Sequence, residues 1–141
     1  MIAAALAALA LAAGAHDPVF TARANAACFK WEDMLVNPPG DVGGGDLGDP
    51  KYDAAWLRVF DRYSVVLRRL QPANAADRRQ WKLVLAQLPA IRSDEIALAK
   101  AVERRAAKAT IVRALLALQK PWSAAHRHAV AAGARQCFSD D

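Results

Sequence analysis

The chain has 141 residues, 19 Lys and Arg against 14 Asp and Glu, and a formal charge of +5. That length holds one domain with one modest core, which excludes a multidomain machine. Much of the 55% hydrophobic content is alanine, which favours close helix packing over a thick core. The charge is uneven: residues 1–50 carry two basic and six acidic side chains, residues 51–120 carry 15 basic and six acidic. The later, helical part is therefore the basic one. It suits an acidic protein surface, an anionic membrane or nucleic acid.

Residues 2–15, IAAALAALALAAGA, carry no charge. They fall short of the roughly 20 residues a spanning helix needs and fit the apolar core of an export signal. Small-x-small sites follow at Ala13-Gly14-Ala15 and Ala24-Asn25-Ala26, so cleavage is expected after residue 15 or 26. No Lys or Arg precedes the apolar run, as in a precursor whose start lies further upstream. Residues 1–26 are read as the targeting segment and 27–141 as the domain. Asp17-Pro18 is a helix start, and Phe20, Ala24, Ala27, Trp31 and Leu35 make a thin apolar stripe, predicting a looser first helix from Pro18 to about Val36. Asn37-Pro38-Pro39-Gly40 ends it. The glycine- and aspartate-rich stretch that follows makes 37–50 a flexible linker.

Asp49 and Pro50 then open the spine of the fold. Tyr52, Ala55, Trp56, Val59, Phe60, Tyr63, Val66, Leu67 and Leu70 recur at steps of three and four, placing nine apolar side chains on one side of a helix. Asn74 caps the next helix, which turns Trp81, Val84, Leu85 and Leu88 inward and is expected to close at Pro89. Ser93-Asp94-Glu95 reads as the acidic start of a third helix running to Gln119. Pro121 ends or kinks it, and residues 122–136 form a last alanine-rich helix. No segment alternates with the period of a strand. The short connections predict an all-α, antiparallel four-helix bundle over about 50–136. Cys28 and Cys137, near the two ends of the domain, read as one disulfide clamping it.

The chemical motifs are few. Asp41, Asp46, Asp49 and Asp53 lack the fixed spacing and distal Glu of a calcium loop. His126 and His128, two apart on a helix, point away from each other and do not grip one metal. His16 would become the terminal residue after cleavage at Ala15, but no second His completes a copper brace. No metal site is assigned. There is no nucleophile elbow, phosphate loop or Glu-x-x-His motif, so no catalytic residue is named and no enzyme is expected. Tyr63, His126 and His128 are the residues that could serve a bound haem, although no CxxCH is present to attach one. Arg68, Arg69, Arg78, Arg79, Lys82, Arg104, Arg105 and Lys108 form the basic face. The aromatics lie on the buried stripe rather than among these cations, which argues against nucleic acid.

In layout the chain is similar to the PsbQ-like extrinsic subunits of the photosystem II lumen. The corresponding parts are residues 2–26 with Ala24-Asn25-Ala26, residues 37–50 with Pro38-Pro39, and the helices from Pro50 to Gln136. The Cys28–Cys137 pair departs from that family's pattern. The likeness implies a basic four-helix bundle that docks on a membrane-associated complex. The expectation is thus an exported accessory subunit in the periplasm, extracellular space or thylakoid lumen, bound through its basic surface to a larger assembly with an acidic face. The alternative is a secreted or periplasmic carrier of a small ligand, haem first among them. A cavity beside Tyr63 or His126 favours the carrier; a filled core with the Arg pairs on one side favours docking.

Overall fold

In a computed structural model describing residues 15–40 and 45–140, the protein is an all-α bundle of four helices. They are α1 (Pro18–Val36), α2 (Pro50–Arg69), α3 (Ala75–Glu103) and α4 (Lys108–Ala131). Among the described residues there is no strand, and no helix is long and apolar enough to cross a membrane. The apolar run of residues 2–14 lies outside the described residues.

The first three helices begin where side-chain oxygens accept the free amides of the first turn. Asp17 Oδ1 accepts from Val19 N at 3.0 Å and Phe20 N at 3.2 Å, Asp49 from Lys51 N at 2.9 Å, and Asn74 from Asp77 N at 2.7 Å. The helix count is four because the prolines do not act as stops. α3 runs through Pro89 and α4 through Pro121. The physical reason is register. Trp81, Val84, Leu88, Ile91 and Leu98 are buried at steps of three, four and seven, with no change of phase at Pro89. One continuous stripe buries more than a broken one, and that gain outweighs a single missing amide bond. The expected bundle of residues 50–136 therefore has one helix fewer, three in place of four, and α1 supplies the fourth member.

The break comes instead at Arg104-Arg105. Ala106 N donates to Ala101 O at 2.9 Å and Arg105 N to Val102 O at 3.0 Å, with Arg105 at φ +52°. This is the Schellman arrangement, made here without glycine. At the end of α4 the same pair of bonds recurs, Ala134 N to Ala129 O at 2.8 Å and Gly133 N to Val130 O at 3.0 Å, with Gly133 at φ +91°. That helix stops at Ala131 rather than Gln136, and residues 132–140 fold back as an irregular tail.

Cross-helix bonds fix the directions. Trp81 Nε1 donates to Leu67 O at 3.2 Å and Arg92 pairs with Asp61 at 2.8 Å, so α2 and α3 run antiparallel. Tyr63 with Glu32, and Ala73 N with Asp17, show the same for α1 and α2. His128 Nδ1 lies 2.9 Å from Gln80 Oε1, closing α3 and α4 as a long hairpin. Yet no Cα of α4 comes within 8 Å of a Cα in α1 or α2. The bundle is open along that seam. The tail bridges it: Cys137 is disulfide-bonded to Cys28 of α1, and Phe138 is wholly buried, stacked on Tyr63 at 5.9 Å. The end of the linker is packed as well, Gly48 lying against Val102 with its amide donated to Asp53 at 3.1 Å.

Candidate functional site

The seam that α4 leaves open holds a cavity of about 640 Å³. α1 contributes Phe29, Glu32, Asp33, Leu35 and Val36, and α2 contributes Tyr52 and Trp56. Glu95 of α3, Leu118 and Trp122 of α4, and Arg135, Gln136 and Ser139 of the tail complete the lining. The size falls within the range of small-molecule sites, and the mix of aromatic walls with a few polar groups is the usual one. The aromatic walls are held from behind. Trp56 stacks on Phe60 with ring centroids 5.0 Å apart, and Trp122 meets the edge of Phe138 at 5.0 Å.

Both glutamates stand in core-facing register, Glu32 four residues after Cys28 and Glu95 four after Ile91. Glu32 Oε1 accepts from the Tyr63 hydroxyl at 2.9 Å and from Phe138 N at 2.6 Å. Burial pushes its carboxyl up to about 7, against the opposing pull of those two bonds and of the nearby His126 charge. Glu95 is also pushed up to about 7, by burial first and then by the negative charge of Asp53. It makes no hydrogen bond or ion pair among the described residues. Burial first, then the charges of Glu95, Asp46 and Asp53, raise Tyr52, while burial and then Glu32 hold Tyr63 well above the ordinary phenol range. Among the described residues three carboxyl side chains and one guanidinium, Arg135, thus line an aromatic cleft.

The residues expected to dock or to hold haem lie elsewhere. Arg68 and Arg69 at the end of α2 stand with Arg78, Arg79 and Lys82 at the start of α3. Arg104, Arg105 and Lys108 occupy the α3–α4 turn, about 39 Å away at 1.5 Å per residue. All eight are exposed, but they form two clusters at opposite ends and not one face. Tyr63 is wholly buried behind Glu32; His126 Nδ1 sits 2.9 Å from Cys137 O, and His128 is held by Gln80. None of the three lines the cavity. His16 Nδ1 lies 2.9 Å from Asp77 Oδ1 and ties the N-terminal residues to the start of α3. No group of three or more His, Cys, Asp or Glu forms a metal-ligand set among the described residues.

Sequence reasoning passed over Glu32 and Glu95. Glu95 reads locally as a first-turn acid after Ser93, yet α3 has been helical for five turns at that point. The signal that finds it is a carboxylate in phase with Trp81, Val84, Leu88 and Ile91. Comparison with protein-family models, with curated proteins and with solved structures finds no match.

Proposed function

We propose that the protein is an exported, disulfide-clamped binding module that carries a small organic molecule in the cleft between α4 and the α1–α2 pair. The observation behind this reading is that cleft: about 640 Å³, walled by Tyr52, Trp56 and Trp122, with the Glu32 and Glu95 carboxyls in its lining. Glu32 has structural partners in Tyr63 and Phe138, but Glu95 has none among the described residues, and a bundle built only for stability gains nothing by placing it in core register. Export rests on the apolar run of residues 2–15 and on the Cys28–Cys137 disulfide, which belongs to an oxidising compartment. α1 runs unbroken through Ala26, and Phe20 and Ala24 are core residues. Processing after Ala15 is therefore favoured over processing after Ala26, and the mature chain is expected to start at His16.

The three carboxylates also bear on haem. Its two propionates would meet Glu32, Asp33 and Glu95 with, among the described residues, Arg135 alone to balance them. The ligand is expected to be something other than haem.

The test is a thermal-shift and tryptophan-fluorescence screen of small organic molecules on the oxidised protein, paired with a cleft-filling Ser139→Trp variant. Ligands that raise the melting temperature of the native protein and leave the variant unmoved support the reading. A screen in which no compound distinguishes the two proteins sinks it.

A second reading, the accessory subunit docked on a larger complex with an acidic face, draws on two features. Val112, Leu115 and Leu116 are exposed on α4, and the two cationic clusters flank the bundle's length. Size fractionation of a native extract decides it. Co-elution with a large complex supports docking, and elution at the mass of a monomer removes it.

A further inference from the structure

The chemistry of the lining narrows the ligand class. This step rests on the carrier reading above and deepens it. Three features of the cleft act together. Trp56, Trp122 and Tyr52 line the cleft, and the electron-rich faces of such rings attract cations. Glu95 is a carboxyl with no protein partner among the described residues, in the wall of a cleft large enough for a ligand. Glu32 is fixed by the Tyr63 hydroxyl and Phe138 N through Oε1 alone, so Oε2 retains its accepting capacity. An anion would meet three carboxylates. A neutral molecule would cover the Glu95 carboxyl without giving it a hydrogen-bond or charge partner, a costly arrangement. A metal ion alone is also a poor occupant, since among the described residues no set of three ligating side chains converges there.

We infer that the cleft recognises an organic cation with an apolar body, its ammonium group set between the Glu95 carboxylate and the faces of Trp56 and Trp122. Phe29, Leu35, Val36 and Leu118 supply the apolar surface for the remainder of the molecule. Among the described residues Arg135 is the one lining cation, on the tail beside Gln136 and Ser139, and it disfavours a second positive charge at that end. Binding is then linked to protons. The groups facing Glu95 are Asp53 from α2, whose charge opposes its ionisation, and the Tyr52 phenol. Those facing Glu32 are Tyr63, the Phe138 amide and the charge of His126. A bound cation favours the ionised form of both glutamates, so affinity rises as pH rises through neutrality.

The experiment uses benzyltrimethylammonium, a permanent cation whose own charge does not titrate. Its comparisons are the neutral isostere neopentylbenzene and the anion phenylmethanesulfonate. Binding to the oxidised protein is followed by tryptophan fluorescence and melting temperature at pH 5.5 and pH 8. The cation is expected to bind roughly tenfold more tightly than the neutral isostere at the higher pH. It should lose most of that advantage at the lower pH. Glu95→Gln should lower the affinity at pH 8 severalfold and leave only the weaker pH dependence due to Glu32, with helicity unchanged and cooperative melting retained. Trp122→Leu, which keeps an apolar wall, should weaken the cation severalfold and leave the neutral compound unchanged. Equal or tighter binding of the neutral compound or the anion overturns the cation inference and leaves the carrier reading standing. Failure of all three to bind overturns it too, and the carrier reading is then decided by its own screen.

Discussion

At the scale of single residues, Glu32 and Glu95 dominate. Both carboxyls are pushed from 4.5 to about 7, chiefly by burial. Below the unfolded value both states hold the proton, and stability does not change. Between 4.5 and 7 the unfolded chain gives up its proton while the folded chain keeps it, so stability falls as pH rises. Above 7 the loss is complete, on the order of 2–3 kcal/mol for each group. The ligand-free protein is therefore expected to melt at higher temperature at pH 5 than at pH 8. Glu95→Gln should raise the melting temperature at pH 8 by several degrees and barely change it at pH 5. Calorimetry at the two pH values checks both. Asp53 shifts in the same direction, through burial first, and adds to the trend. Gly133 is a residue-scale constraint of another kind. A Cβ there would sit 2.8 Å from His16 Cγ and 2.8 Å from Thr21 Oγ1, on a backbone at φ +91°. Gly133→Ala is expected to destabilise by about 1–3 kcal/mol in a denaturant titration.

At the scale of the elements, α3 is the informative case. It holds 29 residues and contains Pro89 on its exposed side. An interior proline removes one amide bond and crowds the preceding turn, at a cost of about 3 kcal/mol in an unsupported helix. α3 tolerates it because Trp81, Val84, Leu88 and Ile91 lock both flanks to the core. Pro89→Ala restores an amide that can donate to the carbonyl of Leu85. It should stabilise the protein by roughly 1–3 kcal/mol, read as a higher denaturant midpoint with unchanged slope. An unchanged or lower midpoint would mean that the proline shapes the packing. Pro121 is different: it is buried in α4, next to the cleft wall at Trp122, so its removal also disturbs packing.

At the scale of the whole molecule, the disulfide and the open seam belong together. The backbone of α4 makes no close approach to α1 or α2, and the tail carrying Cys137 and Phe138 joins the two halves. Cys28 and Cys137 are 109 residues apart, so the bond constrains nearly the whole described chain. In the chain-entropy view a loop that long contributes about 4–5 kcal/mol. The Cys28→Ser, Cys137→Ser double variant should lose most of that in urea. The tail should also become the first segment to exchange its amides, since Phe138 N and its bond to Glu32 report closure directly. Equal protection of the tail with and without the disulfide would show that Phe138 packing alone closes the seam.

The amino-acid sequence by itself determined that the protein is helical, where α1, α2 and α3 begin, and that Cys28 pairs with Cys137. Each of these is local or combinatorial: an Asp or Asn cap before a proline or alanine, a period near 3.6, and only two cysteines to join. The spine stripe from Tyr52 to Leu70 was legible for the same reason, and six of its nine residues are buried. Only the tertiary structure decided whether Pro89 and Pro121 stop a helix, because the answer depends on burial on both sides of the proline. The same is true of the turn at Arg105, which adopts a conformation its side chain does not advertise. The cleft was the least legible. Glu32, Glu95, Trp56 and Trp122 come from four different helices, and their shared space exists because α4 stands off from α1 and α2. That spacing is a property of the packed assembly, and no segment of the chain encodes it alone.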